Sequence, residues 1–333
     1  MKRKLVTFGE ILMRLSCEDH LRFSQAHTFN VVYGGSEANV AISASNFGMS
    51  VDFVSVVPHT DFGNASLAEL KISKVGTDNI VFRGKRLGLY FLEKGAVNRG
   101  SKVIYDRANS SFAEVKSEWF DWEDILKNCN QFHWSGITPA ISKAAAEVCL
   151  EAVETAEKMG ISISADLNYR GNLWQYDVIP EEIMTNLVSK SNVLLAGGYA
   201  CKQFFGIQTQ NSSNLELFEE LTQKFPKLEK IAITNRIEMN ASHHKWSANL
   251  YNGKTILNST EYDIFPIVDR VGTGDSFMGA LLYGLQHYED QQALDFATAA
   301  SCIKHSIYGD INRVSKEEVV KLMEGDISGR ISR

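Results

Sequence analysis

The sequence predicts an α/β fold: a mostly parallel sheet with helices on both faces, and a small β-sheet inserted toward the N-terminal side. Three observations predict it. Short apolar, β-branched runs alternate with helically periodic stretches along most of the 333 residues, the pattern of strand–helix units that pack as a parallel sheet between helix layers. Over residues 82–107 the texture changes to short strands in which Phe82, Leu87, Leu89, Phe91, Val103 and Tyr105 alternate with polar residues, as antiparallel pairs with one wet face do. Late in the chain a glycine-rich turn, Gly272-Thr273-Gly274-Asp275, opens a helix, a natural ligand position at the carboxyl edge of an open sheet.

In chain order, residues 5–8 read as a buried first strand. Residues 10–33 are mixed and polar, with alternating pieces such as Thr28-Phe29-Asn30-Val31-Val32-Tyr33. Gly34-Gly35 opens a helix that places Ala38, Val40, Ala41, Ala44 and Phe47 on one side and ends at Gly48. Residues 51–57 form a strand closed by Pro58, and 61–75 a helix stopped by Gly76. The segments 10–33 and 82–107 together supply the small sheet. Beyond Phe112 the order is regular. Helices are predicted over 124–128, 143–159, 181–190 and 215–225, and strands over 131–135, 161–166, 192–196 and 230–234. A hairpin-like stretch reaches Val268, and helices over 275–287 and 291–307 close the chain. No repeat or low-complexity linker interrupts it, so residues 1–333 read as one domain carrying an inserted sheet.

Composition narrows the function. A formal net charge of −6 argues against a nucleic-acid partner. Cys17, Cys129, Cys149, Cys201 and Cys302 are scattered and contain no CxxC pair, which fits reduced thiols in a cytoplasmic protein better than a disulfide framework or a zinc site. The basic N-terminus has no signal-peptide core, and no apolar run reaches about 18 residues, so no membrane partner is expected. His243-His244 lacks a third ligand at useful spacing, and no metal ligand set is assigned to the chain. Gly253-Lys254-Thr255 lacks the preceding glycine of a Walker A loop, and no G-x-G-x-x-G follows the first strand. A bound nucleotide therefore needs another architecture, and a nicotinamide dehydrogenase ranks last.

Three turns carry candidate chemistry. At Gly272–Asp275, free N–H groups and the helix dipole favour an anion, two glycines admit a ligand close to backbone, and Asp275 stands where a base could take a hydroxyl proton. The same residues would also serve as an ordinary helix cap. At Gly34-Gly35-Ser36-Glu37-Ala38-Asn39, Asn39 offers a donor and an acceptor to a hydroxyl, or Ser36 simply caps the helix. At Asp166-Leu167-Asn168-Tyr169-Arg170, Arg170 can fork onto a carboxylate or phosphate, or lie solvated in a loop. Tyr90, Tyr105 and Arg107 of the inserted sheet either pack or face a ligand.

Taken together, Gly34-Gly35-Ser36-Glu37-Ala38-Asn39-Val40-Ala41 and the Gly-x-Gly-Asp signature at 272–275 resemble the ribokinase, or PfkB, family of sugar kinases, over essentially the whole chain. The resemblance implies a ribokinase-like, Rossmann-like α/β domain with a β-sheet lid, and ATP and magnesium as cosubstrates. It implies Asp275 as base, and Gly272, Thr273 and Gly274 as the anion hole for the transferred phosphoryl group. Thr234, Arg236, Gly272 and Gly274 fall on the nucleotide side. Within the family, four segments resemble the subgroup acting on 2-keto-3-deoxygluconate: Gly88-Leu89-Tyr90-Phe91-Leu92-Glu93, Tyr105-Asp106-Arg107-Ala108, Asp166-Leu167-Asn168-Tyr169-Arg170-Gly171-Asn172-Leu173-Trp174 and Val268-Asp269-Arg270-Val271-Gly272. This implies that Gly34, Gly35, Asn39, Tyr90, Tyr105, Arg107, Asn168, Arg170 and Asp275 bind substrate. Two arginines at the sugar pocket suit an acidic substrate, because a neutral sugar would leave their charges poorly compensated.

The sequence departs from the family in two places. Gly197-Gly198-Tyr199-Ala200 replaces an Asn-x-x-Glu pattern that organises magnesium, and Thr234-Asn235-Arg236 replaces Thr-Leu-Gly. The expected activity is ATP-dependent phosphorylation of the terminal hydroxyl of 2-keto-3-deoxygluconate. The alternatives are a family kinase for fructose, ribose or 5-keto-2-deoxygluconate, and a noncatalytic sugar-acid binder. An exposed lid edge suggests a homodimer formed through the lid.

Overall fold

Strand and helix alternate in space as they do in the chain. The computed structural model describes residues 4–207 and 214–325. In order, the elements are β1 (Lys4–Phe8), β2 (Leu12–Ser16), β3 (Asn30–Gly34), α1 (Ser36–Asn46), β4 (Ser50–Val57), α2 (Asp61–Ser66), α3 (Ala68–Ile72), β5 (Ile80–Phe82), β6 (Gly88–Glu93) and β7 (Lys102–Asp106). There follow α4 (Trp122–Leu126), β8 (Gln131–Ser135), α5 (Ile137–Ile141), α6 (Lys143–Lys158), β9 (Ser162–Asp166), α7 (Pro180–Val188), β10 (Val193–Ala196), α8 (Gly198–Phe205) and α9 (Asn214–Lys224). The chain closes with β11 (Lys230–Asn240), β12 (His243–Tyr251), β13 (Ile256–Asn258), β14 (Tyr262–Ile264), α10 (Thr273–His287), α11 (Asp290–Lys304) and α12 (Lys316–Met323).

The large sheet has the order β13-β12-β11-β10-β9-β8-β1-β4-β5, with β14 on β12. Every pair from β11 to β5 is parallel, and the β12 pairs are antiparallel. Alternate strand residues feed two cores. Val6, Val54 and Val56 face the layer of α4, α6, α7, α8 and α9, while Leu5, Val51, Phe53 and Val57 face α1, α10, α11 and α12. The expected two-faced sheet is the one observed.

The small sheet has four strands in the order β3-β2-β6-β7. Its outer pairs are antiparallel, as expected for the strands within 82–107, while β2 and β6, which join the two inserted segments, run parallel with Leu12 opposite Gly88. The reason is topological: β2 follows β1 and β6 follows β5, and β1 and β5 point the same way in the large sheet. Phe82 lies in β5, so the second inserted segment begins later than the alternation suggested. The helix expected over 61–75 is two short helices, because the Leu67 N–H turns back to the Asn64 carbonyl (3.2 Å) and tightens the chain there. Helices α5, α8 and α12 were not anticipated. β11 continues six residues past the expected Thr234, drawn out by its ladder with β12. Among the described residues, no helix is long and apolar enough to cross a membrane.

Candidate active site

The carboxyl edge of the large sheet and one face of the small sheet enclose a cleft of about 610 Å³. Its floor is the start of α10. Gly272 precedes this helix with φ +78°, a conformation that favours glycine, and a Cβ there would lie 1.8 Å from the Asp310 carbonyl oxygen. No side chain caps α10, and the N–H groups of Gly272, Thr273, Gly274 and Asp275 donate to no protein carbonyl among the described residues. Gly274 meets open space. The turn thus presents unsatisfied donors to the cleft at the positive end of a 15-residue helix. The capping alternative for Asp275 is not what the structure shows.

Asp275 instead points across to α1. Its Oδ2 accepts from Asn39 Nδ2 (2.7 Å) and its Oδ1 from Ser36 Oγ (2.9 Å). Burial raises its pKa, and the Asn39 and Ser36 hydrogen bonds oppose the rise. Asn39 therefore holds the candidate base and also borders the cleft; its Oδ1 accepts from the Gly35 N–H (3.3 Å). Ser36 does not cap α1, and it is held in turn by Asn168 Nδ2 (3.1 Å). Asp166, at the end of β9, is pushed up to about 7 by burial and then by the Asp275 charge. One of its oxygens accepts from the Asn168 N–H (3.0 Å).

Tyr90, Tyr105 and Arg107 of the small sheet, Gly35, Asn168 and Arg170, and Thr234 and Arg236 at the far end all line the same cleft. Gly34 does not: it backs Asp310, whose Cβ would stand 2.6 Å from a Cβ at Gly34. Arg107 Nε donates to Glu10 (2.7 Å), so its charge is already compensated and only its terminal nitrogens remain for a ligand. Arg170 is exposed, donates to the Tyr169 carbonyl (3.0 Å) and forms no ion pair within 4.0 Å among the described residues. Of the two arginines expected at the sugar pocket, only Arg170 is thus uncompensated among the described residues. Arg236 and Arg270 share Glu238, at 3.2 and 3.3 Å, and the buried Nε of Arg270 has no partner.

Sequence reasoning missed a buried network at the cleft wall. Arg14 of β2, fully buried, pairs with Asp269 and Asp310, each at 2.7 Å, and Tyr90 donates to the second oxygen of Asp310. Arg14 and Asp310 are 296 positions apart, and no local pattern links them. Asp269, three residues before the signature glycine, carried the nearest signal.

The chain is similar to carbohydrate kinases throughout. Residues 2–237 match a family model described as pfkB family carbohydrate kinase. The 2-dehydro-3-deoxygalactonokinase of Haloferax volcanii is 30% identical over 330 residues, covering 99% of each chain. The 5-dehydro-2-deoxygluconokinase of Listeria innocua is 27% identical over 316 residues, 92% of this chain and 91% of that one. The crystal structure of the 2-dehydro-3-deoxygluconokinase of Thermotoga maritima has a TM-score of 0.92 and 41% identity, covering 97% of this chain and all of its own. With the ribokinase-like architecture and the α10 turn in place, the chain belongs to the pfkB family of carbohydrate kinases.

Proposed function

We propose that this kinase transfers the γ-phosphoryl group of ATP to the terminal hydroxyl of 2-keto-3-deoxygluconate, giving the 6-phosphate. The observation that carries the chemistry is the buried Asp275 carboxylate, fixed by Asn39 and Ser36 beside four unsatisfied backbone donors. Asp275 accepts the hydroxyl proton as the oxygen bonds to phosphorus and ADP leaves. The N–H groups of Gly272, Thr273 and Gly274 stabilise the charge on the equatorial oxygens. Thr234, Arg236 and Arg270 lie where the rest of the triphosphate would extend.

Magnesium fits this site as a complex with the triphosphate. Asp166, with one oxygen unengaged by the protein, is placed to hold a water of that complex. The bound ion would offset phosphate charge. On the sugar side, the Arg170 guanidinium and the terminal nitrogens of Arg107 bind the carboxylate end, and Tyr90, Tyr105, Asn168 and Gly35 line the chain of hydroxyls. The small sheet acts as a lid that excludes water, a competing acceptor. Apolar Val31 and Ile104 are half-exposed on it (50% and 44%), which supports pairing with a second copy there.

The names of the relatives support a dehydro-deoxy sugar acid as the substrate class. The 4-epimer, 2-keto-3-deoxygalactonate, is the second reading, supported by the full-length similarity to the Haloferax volcanii protein. An ADP-release assay over these two acids, 5-keto-2-deoxygluconate, fructose and ribose decides. Selective turnover of 2-keto-3-deoxygluconate is expected. Preference for another acid would replace the substrate, and preference for a neutral sugar would overturn the role of Arg170. Binding of a sugar acid without turnover would leave a noncatalytic binder.

A further inference from the structure

Lys304, the last residue of α11, is fully buried, and nothing in the proposed mechanism uses it. Its ammonium donates to the carbonyl oxygens of Ile307 (3.1 Å) and Gly309 (2.8 Å) and forms no ion pair within 4.0 Å among the described residues. A buried ammonium held only by carbonyls is costly, and an apolar side chain of that length would often be more stable. Stability alone therefore does not explain the charge.

The surroundings do. The turn that Lys304 gathers runs directly into Asp310, whose carbonyl oxygen lies against Gly272. The Gly309 N–H donates to Asp269 (3.1 Å), and Asp269 Oδ1 accepts from the Val271 N–H (3.1 Å). Farther up α11, Ser301 Oγ donates to the Thr273 carbonyl (2.8 Å), and the His305 carbonyl accepts from the N–H groups of Val268 and Asp269 (2.9 and 3.2 Å). Besides the contacts from Arg14, Glu238, Asn240, Ser36 and Asn39, the Asp269–Asp275 turn is thus held by α11 and the turn Lys304 closes. Charge points the same way. Asp269 and Asp310 are offset by Arg14 and Lys304. Without Lys304, two buried carboxylates would share one arginine, and the excess negative charge would face an incoming phosphate. Burial draws the ammonium down to about 8, while Asp269 and Asp310 act to keep it charged.

We propose that Lys304 is a positioning residue for phosphoryl transfer: an internal cation that locks the 307–310 turn beneath Gly272 and keeps the N–H donors of Gly272–Gly274 aimed at the transferred group. This rests on the anion-hole role given to that turn above. It concerns the phosphate side, whichever sugar is the acceptor.

The test uses the full chain with Lys304→Met, which keeps the packing and removes the charge, and Lys304→Ala, which leaves a cavity the size of propylammonium. With the preferred acceptor, Lys304→Met is expected to lose about a hundredfold in kcat while sugar affinity by calorimetry stays within about threefold. Lys304→Ala is expected to regain about tenfold in kcat with n-propylammonium chloride and nothing with tetramethylammonium chloride at equal ionic strength. A sugar-free readout separates this inference from the substrate assignment. The ratio of affinities for the magnesium complexes of the ATP analogue AMPPNP and of ADP is expected to fall about tenfold in Lys304→Met. A wild-type enzyme inactive on every sugar tried would refute the proposed reaction and leave this ratio to decide. Near-normal kcat and an unchanged ratio in Lys304→Met would overturn the proposal. So would a parallel loss of melting temperature, sugar affinity and kcat without amine rescue, and so would failure of both variants to fold with propylammonium present; these outcomes assign Lys304 to stability alone.

Discussion

Asp275 is the residue on which the proposed chemistry turns. Asp275→Asn keeps the shape, with the amide oxygen able to accept from Asn39 and the NH2 to donate to Ser36 Oγ, but it cannot accept a proton. It is expected to lower kcat about a thousandfold with sugar affinity nearly unchanged; steady-state kinetics beside calorimetry would show it, and near-normal kcat would remove Asp275 as base. Asp166 carries a pH prediction. Its folded pKa, about 7, lies above the ordinary carboxylate value, so the folded state holds this proton more tightly than the unfolded chain. The associated stability is complete below the unfolded pKa, near 4, and is lost as pH rises through 7. Asp166→Asn should therefore narrow the difference in unfolding free energy between pH 5 and pH 8 by on the order of 2 kcal/mol, measured by urea titration. A difference matching the wild type would place this proton elsewhere. Residues at this scale were legible where chemistry and backbone coincide. Gly272, Gly274 and Asp275 announce themselves as a turn that needs glycine followed by a carboxylate. Arg14, Asp310 and Lys304 do not, because each looks like a surface charge until the chain folds.

Among elements, the α10 terminus depends on one backbone conformation. Gly272→Ala sets a side chain at φ +78° against the Asp310 carbonyl. It is expected to cost on the order of 2 kcal/mol and to depress kcat more than sugar affinity, as thermal melts and kinetics would register; full activity would show that the turn tolerates displacement. Near the C-terminus of the chain, α12 opens with a capping box, in which Ser315 and Glu318 each bond the other's backbone N–H. The Ser-x-x-Glu pattern of this box stands in the sequence just before Val319 and Val320. Ser315→Ala should lower stability by about 1 kcal/mol without touching kcat. The long helices and central strands were legible from periodicity. The break at Leu67 and the extension of β11 were not, since the first rests on a single tightened turn and the second on a cross-strand partner.

For the whole molecule, strand–helix alternation was enough to predict a parallel sheet covered on both faces. It could not give the parallel pairing of β2 with β6, which follows from where two separate insertions leave the large sheet. Nor could it show that the small sheet is tied by charge to the loops flanking α10 and α11. Arg14→Met would strand Asp269 and Asp310 in the interior with half their compensation. A loss of about 3–5 kcal/mol in unfolding free energy is expected; a loss under about 1 kcal/mol would mean that the carboxylates find water or Lys304 instead.

The position of Asp310 has a mechanical consequence. Its carboxylate is gripped by Arg14 and Tyr90 of the small sheet, while its own carbonyl lies beneath Gly272. One residue is thus a fulcrum between the small sheet and the turn that opens α10. Any displacement of the small sheet would therefore load that turn through a single residue, so the two walls of the cleft are mechanically linked at Asp310.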